Sequence, residues 1–288
     1  MKTSNMTRRE FARMAALGAV GISSALTAQA AASASPLKIT VIGDSSCIPD
    51  VRHEVACLLI NGKHLVDTGW CAALKMREYG FDPLALESII LTHFHQDHYL
   101  GLPQLLFFVG LRKRPGSPLN IAGPSENLQR VVEAVDVFLQ VPRFPELAVN
   151  RKLIPLTAGD KFEVPDVRFE TFAANHLSGK NKIEQALVYK ITDKASGACA
   201  VYTGDTHPHP PIAEFAKGAS LLIHDGSHTS AKGAAQIAKQ AGVERLVLIH
   251  YSQNRAEKIL AEAKAIFPNT ELAKEGQTLE VGKAGATQ

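Results

Sequence analysis

With 288 residues, 45% of them hydrophobic and 20% charged, the chain is long enough to bury a sizeable core in one large domain or two small ones. Its formal net charge of +3 comes from the first 34 residues, and residues 35–288 hold 27 basic and 27 acidic side chains. That balance argues against a partner held by a broad basic field, as nucleic acid usually is, although local patches remain open.

In the first 34 residues, Lys2, Arg8, Arg9 and Arg13 precede a modest apolar run, Met14 to Ala28, with small-residue cleavage candidates at Ala28-Gln29-Ala30 and Ala32-Ser33-Ala34. The run is too short and too rich in Ala and Gly for a membrane span. Thr7-Arg8-Arg9-Glu10-Phe11 resembles a twin-arginine export signal. Residues 1–34 are therefore expected to be removed on export, leaving residues 35–288 as one domain in the bacterial periplasm with no lasting membrane anchor. Cys47, Cys57, Cys71 and Cys199 permit one or two disulfides there, with the pairing open, and none sits in a C-x-x-C pair.

In chain order, strands are expected at Leu37–Gly43, Glu54–Ile60 and Lys63–Asp67, with a hairpin signal at Asn61-Gly62. A helix over Cys71–Tyr79 is closed by Gly80, and Ser88–Leu91 is a short, β-branched, buried strand. Helix Leu102–Val109, strand Pro118–Ala122 and the amphipathic helix Ser125–Leu139 come next. A run of strands succeeds them: Lys152–Thr157, Lys161–Val164, Val167–Ala174, Gln185–Ile191 and Ala198–Thr203. The last third alternates helix Pro211–Lys217, strand Leu221–His224, helix Thr229–Ala241, strand Leu246–Ile249 and helix Arg255–Ile266. Two successive mixed halves predict an α/β fold of two sheets covered by outer helices, a four-layer αββα sandwich.

The chemistry gathers at strand ends. Directly after Ser88–Leu91 stands Thr92-His93-Phe94-His95-Gln96-Asp97-His98, whose tight loop can turn His93, His95, Asp97 and His98 toward one point. Neutral imidazole and carboxylate suit Zn²⁺ and related divalent ions. His176, Asp205 and His250 each come just after a later strand, which makes five histidines and two aspartates at or just past C-terminal strand ends. Such a set serves two divalent ions, with three histidines on one, two histidines plus Asp97 on the other, and Asp205 bridging. A metal pair about 3.5–4 Å apart lowers the pKa of a shared water, and open positions mark a catalytic site.

These motifs resemble the metallo-β-lactamase superfamily and, within it, the ribonuclease Z branch that also holds a group of arylsulfatases, over essentially all of residues 35–288. The resemblance implies a metallo-β-lactamase fold and two divalent ions, with Zn²⁺ favoured. His93, His95 and His176 would bind the first ion, Asp97, His98 and His250 the second, and Asp205 both. Asp67 would support the metal loop without ligating. Gly101-Leu102-Pro103 and Gly204-Asp205-Thr206 also resemble ribonuclease Z, as does Leu221-Leu222-Ile223-His224-Asp225, with Asp225 where that family usually has Glu. His228-Thr229-Ser230 resembles the segment carrying a catalytic histidine, so His228 would protonate a leaving group with Asp225 orienting it. A plain helix N-cap is the other reading, since Thr229 and Ser230 are natural caps. His207 and His209 are read as solvent-facing loop residues rather than pocket lining, and His53, His64 and His224 as having no functional role. Tyr251 and Asn254 come after His250 and are weak candidates for facing the site.

The sequence departs from ribonuclease Z in one large respect. That family carries a long tRNA-gripping arm between the third histidine and the bridging aspartate, where this chain has 28 residues. The first turn, Gly43-Asp44-Ser45-Ser46-Cys47, is also less glycine-rich. The expected protein is an exported dinuclear hydrolase whose metal-bridging hydroxide attacks a small ester: an aryl sulfate, a phosphodiester or a lactone. Nucleic acid is not an expected partner, and a homodimer is compatible with the sequence. The alternatives are a ribonuclease Z-like phosphodiesterase or nuclease, an iron-dependent oxidoreductase, and a non-catalytic binding protein on the same fold.

Overall fold

The computed structural model describes residues 36–178, 182–183 and 185–285, so the expected leader lies outside the described residues. From Pro36 onward the chain is a single compact unit. Its first sheet contains β1 (Leu37–Gly43), β2 (Cys57–Ile60), β3 (His64–Val66), β4 (Ser88–Ile90), β5 (Leu119–Pro124), β6 (Arg151–Leu156) and, from the far end of the chain, β16 (Thr278–Val281). The spatial order is β16-β1-β2-β3-β4-β5-β6. The second sheet contains β7 (Lys161–Glu163), β8 (Val167–Ala173), β11 (Leu187–Asp193), β12 (Cys199–Tyr202), β13 (Leu221–Asp225), β14 (Arg245–Ile249) and β15 (Thr270–Leu272), in the order β15-β14-β13-β12-β11-β8-β7. A short ribbon, β9 (Leu177–Ser178) with β10 (Lys182–Ile183), lies between β8 and β11 in the chain.

Each sheet joins an antiparallel part to a parallel part. β1 to β3 pair antiparallel and β3 to β6 parallel. In the second sheet β7, β8, β11 and β12 pair antiparallel, and β12 to β15 parallel. Parallel strands need crossover connections, which supply the helices that cover the outer faces. Helices α1 (Ala72–Glu78), α3 (Gly101–Leu111) and α4 (Leu128–Phe138) cover the first sheet; α5 (Ile212–Phe215), α6 (Ala231–Ala241) and α7 (Ala256–Lys264) cover the second. One further turn, α2 (Gln96–Tyr99), stands in the histidine-rich loop. Between the sheets, Ile39, Val41, Val66 and Ile90 pack with Phe169, Tyr189, Tyr202 and Ile223. The expected four-layer αββα sandwich is the observed architecture.

Local sequence explains the covering helices. α6 has Ser230 as N-cap, its hydroxyl accepting from Gly233 N at 3.1 Å, and ends on Gly242 at φ 71°. Ala231, Ala234, Ala235, Ala238 and Ala241 form its buried stripe, and such small side chains let the helix lie close to the sheet. The expected elements occur in order with shifted ends. β2 begins at Cys57 rather than Glu54, because the pairing with β1 is irregular between Val41 and Gly43 and the buried Glu54 carboxylate accepts from the backbone of Val55, Trp70 and Cys71. β15 and β16 lie beyond the last expected helix, and β16 closes the first sheet on β1, Leu37 opposite Val281. All four cysteines carry free thiols, so none of the permitted disulfides forms. Among the described residues no helix is long and apolar enough to cross a membrane.

Gly101 ties a covering helix to the loop after β3. Its N–H donates to Gly69 O at 2.7 Å, and a Cβ there would stand 2.3 Å from Thr68 O. Gly101→Ala should therefore destabilise by about 1–3 kcal/mol through overpacking against rigid backbone. A urea midpoint equal to that of the wild type would refute the tight packing.

Candidate metal centre

Strands from both sheets end at one edge of the sandwich, and the sequence-predicted residues meet there. Asp67 comes directly after β3 at φ 57°, an unfavourable backbone state that turns its carboxylate back under the next loop. Asp67 Oδ1 accepts from Thr92 N at 2.8 Å, and Oδ2 accepts from Thr92 Oγ1 at 2.8 Å. The same Oδ2 lies 2.9 Å from His98 Nδ1, so that nitrogen carries the proton and Nε2 is turned into the site. Thr92 Oγ1 is also 3.0 Å from His93 Nδ1, which leaves His93 Nε2 facing inward. Asp67 thus orients ligand candidates without being one.

Across the cleft, Gly204 lets the chain turn sharply after β12. Its φ is 54°, and a Cβ would lie 2.9 Å from Thr92 Cβ, so only glycine brings Asp205 this close to the histidine loop. Asp205 Oδ1 is 3.4 Å from His98 Nε2 and 3.4 Å from His250 Nδ1, while Oδ2 is 3.9 Å from His93 Nε2. Asp97 Oδ2 lies 3.2 Å from His98 Nε2 and 3.7 Å from His250 Nε2. His95 Nδ1 and His176 Nε2 converge at 2.8 Å. His250 sits at φ 59°, and its N–H donates to Asp44 O at 2.9 Å, which fixes that strained residue from below.

Two groups result, His93–His95–His176–Asp205 and Asp97–His98–Asp205–His250, each with its ligand atoms within 4.8 Å of one another. They share Asp205. His93 Nε2, Asp97 Oδ2, His98 Nε2, Asp205 Oδ1 and both ring nitrogens of His250 are buried without a hydrogen-bond partner. Buried polar atoms are rarely left so, and nitrogen and carboxylate donors arranged in this way fit two divalent ions. A third group, Asp205–Asp225–His228–His250, overlaps the second. There His228 Nδ1 is taken up by Asp225 Oδ2 at 3.0 Å, and Asp225 also accepts from the backbone N–H of Thr206, Ser227 and His228.

The charges within the cluster are mutually dependent. Burial pulls His93 well below the usual histidine value, and burial takes His176 down to about 4. Burial opposes charge on His98 and His250 as well, but Asp205, with Asp67 at His98 and Asp225 and Asp97 at His250, outweighs it. His98 stands well above its ordinary value and His250 at about 10. The carboxyls of Asp97 and Asp205 are pushed up by burial yet held well below the usual carboxylate range by these histidines, and Asp225 lies at about 2. Hydrogen bonding to Asp225 holds His228 above its ordinary value.

Two participants were not legible beforehand. Asp44, whose carbonyl holds His250, carries no motif signal. His207, read as a solvent-facing loop residue, is half-buried with its ring 6.1 Å from His176 and 5.4 Å from His228; its place two residues after Asp205 was the available clue. His209 turns away and packs on Phe172 at 5.9 Å, and Tyr251 donates its hydroxyl to Ala273 O at 2.9 Å. His64 is buried against Asp166 at 2.9 Å and belongs to none of these three groups; with Glu87 and Asp166 it forms a separate cluster.

Comparison with known proteins places this geometry. Residues 64–251 match the family model described as a beta-lactamase superfamily domain. The chain is similar to the ribonuclease Z of Methanothermobacter thermautotrophicus, 27% identical over 303 residues, covering 85% of this chain and 97% of that protein. It is equally similar to that of Archaeoglobus fulgidus, 27% identical over 306 residues with 85% and 97% covered. Among solved structures, a metallo-beta-lactamase fold protein from Bacillus subtilis superposes with a TM-score of 0.70 at 23% identity, covering 86% of this chain and 100% of that one. The short form of human tRNase Z gives 0.66 at 18%, covering 85% and 99%.

Because His250 stands at about 10 in the metal-free protein, it is protonated at neutral pH and an incoming ion must displace that proton. Divalent-ion affinity should therefore climb as pH rises toward 10, with at least one proton released per chain at neutral pH. Calorimetric titration with Zn²⁺ in buffers of different ionisation enthalpy measures the release; heats independent of buffer would contradict it.

Proposed function

The chain belongs to the beta-lactamase superfamily and carries its metallo-beta-lactamase fold, and on that premise we propose that it is a metal-dependent phosphodiesterase whose substrates include nucleic acid. The neutral charge and the short connection between His176 and Asp205 pointed away from nucleic acid. Similarity to proteins named ribonuclease Z reverses that expectation and moves phosphodiesters ahead of sulfates and lactones. The observation that carries the reading is the His228–Asp225 pair beside Asp205, the residue common to both ligand groups: His228 Nδ1 is 3.0 Å from Asp225 and 3.6 Å from Asp205 Oδ2.

When bound, two divalent ions supply activation of water and neutralisation of charge at the phosphoryl group. His93, His95 and His176 would hold one, Asp97, His98 and His250 the other, and Asp205 both. The protein's own contribution is proton management. Water adds to phosphorus, the bond from phosphorus to the leaving oxygen breaks, and that oxygen takes a proton from His228. Asp225 favours the charged imidazole and fixes its Nδ1, so the proton transferred is the one on Nε2. Asp97, 13% exposed and held ionised by His98 and His250, is placed to take the proton lost by the attacking water. The route of export belongs to the same proposal. Its support is the basic and apolar pattern of residues 1–34, and a shortened protein in the periplasmic fraction tests it.

A panel of bis(p-nitrophenyl) phosphate, an RNA with a 3′ extension, p-nitrophenyl sulfate and a chromogenic lactone tests the substrate class on zinc-loaded protein. Phosphodiesters should turn over fastest; sulfate or lactone hydrolysis without phosphodiester hydrolysis would sink the reading. His228→Ala should lose about 10²–10⁴-fold with an alkoxide leaving group and far less with nitrophenolate, which leaves without a proton. Equal losses on the two would remove His228 as proton donor.

A further inference from the structure

The loop after Asp205 carries an imidazole that neither ligand group uses. His207 presents its ring edge-on to His228, with centroids 5.4 Å apart at 78°, and nearly parallel to His176, at 6.1 Å and 21°. Its backbone is pinned: His207 N donates to Asn175 O at 2.7 Å, and Asn175 N donates to Thr206 Oγ1 at 3.1 Å. Pro208 and Pro210 stiffen the segment beyond it. The ring is therefore held at the rim without a hydrogen bond of its own, since neither ring nitrogen has a partner among the described residues.

That combination separates His207 from the other site histidines. His93, His98 and His250 are buried and aimed at carboxylates, and His228 is committed to Asp225. A proton donor needs a second group to orient and charge it, and His207 has no carboxylate partner among the described residues. What it offers is an N–H donor beside the proton donor, on the half-buried side of the cleft. A phosphodiester keeps an anionic phosphoryl group whose nonbridging oxygens require donors, and hydrogen bonds to an ionised acceptor are among the stronger ones.

We propose that His207 is a substrate-binding residue that donates a hydrogen bond to a nonbridging oxygen of a phosphodiester and so sets the leaving oxygen against His228. The assignment rests on the phosphodiesterase reading for its substrate, and on the ring geometry for its position. It also gives the short connection between His176 and Asp205 a purpose: with no long insertion there, recognition falls to residues of the rim itself.

The experiment uses full-length zinc-loaded protein with His207→Ala and His207→Gln, reading KM and kcat on bis(p-nitrophenyl) phosphate and the affinity for inorganic phosphate by calorimetry. His207→Ala should raise KM and weaken phosphate binding about tenfold or more, with kcat changed less than about threefold, and His207→Gln, which keeps an N–H donor, should recover most of both. Zinc content should stay at the wild-type value in both variants. KM and phosphate affinity unchanged in His207→Ala would overturn the proposal, and so would a fall in kcat alone or a loss that His207→Gln does not recover. Absence of phosphodiester turnover in the wild type would sink the phosphodiesterase reading by itself, while the phosphate titration still decides His207.

Discussion

Burying a carboxylate among imidazoles is the constraint on which the rest of this structure depends. Asp205 is 3% exposed, and a charge so placed is costly unless it is compensated by partners brought to fixed positions. Those partners are His93 and His98 from the loop after β4 in the first sheet, and His228 and His250 from beyond β13 and β14 in the second. Neither sheet alone can supply the compensation. The apolar layer between the sheets brings the strands together; the charges then determine which strand ends must coincide.

Precision at that edge comes from groups that are not themselves ligand candidates. Asp67 joins the end of β3 to Thr92 and His98, and Glu54 in turn accepts from the backbone of Trp70 and Cys71 just beyond Asp67. Gly204 is pressed against Thr92, so the bridging candidate and the histidine loop are set by one contact. Asp44, at the end of β1, holds His250 through the backbone. A shift in any of these would move a ring nitrogen by a fraction of an ångström, a distance that matters where donors must converge on one point. The positive φ values of Asp67 and His250 show that backbone strain is accepted at both ends of this arrangement.

How much of this could be read beforehand depends on how local the signal was. His93 to His98 announce themselves within six residues, and Asn175-His176, Gly204-Asp205 and Ile249-His250 come after apolar runs short enough to be strands. The sandwich was legible for the same reason, since its helices and parallel strands are marked by periodicity. β16 was not, because Thr278–Val281 has only four residues, too few for its polar-apolar alternation to stand out, and its partner β1 lies more than two hundred positions away. Asp44 was hidden because it acts through a main-chain carbonyl, which any residue supplies. His207 was misjudged because loop position and a polar side chain predict exposure, whereas its neighbours here are other histidines. The permitted disulfides do not form: Cys57 is buried in β2, Cys199 in β12 of the other sheet, Cys47 is exposed, and the Cys71 thiol donates to Glu54.

The alignment with the Methanothermobacter protein takes in 303 positions, more than 85% of a 288-residue chain can fill, so that relative carries residues with no counterpart here. If this chain acts on phosphodiesters as proposed, it does so without those residues. A broad basic field is not available from residues 35–288, whose charges balance. On that proposal, affinity would come from directed donors close to the reacting centre, where a single hydrogen bond to an anion counts for more than a distant lysine screened by salt. On the phosphodiesterase reading proposed above, such recognition would read the phosphoryl group and its two ester oxygens rather than a long stretch of polymer, and so would favour termini, single-stranded ends and small diesters over a folded RNA held at many points.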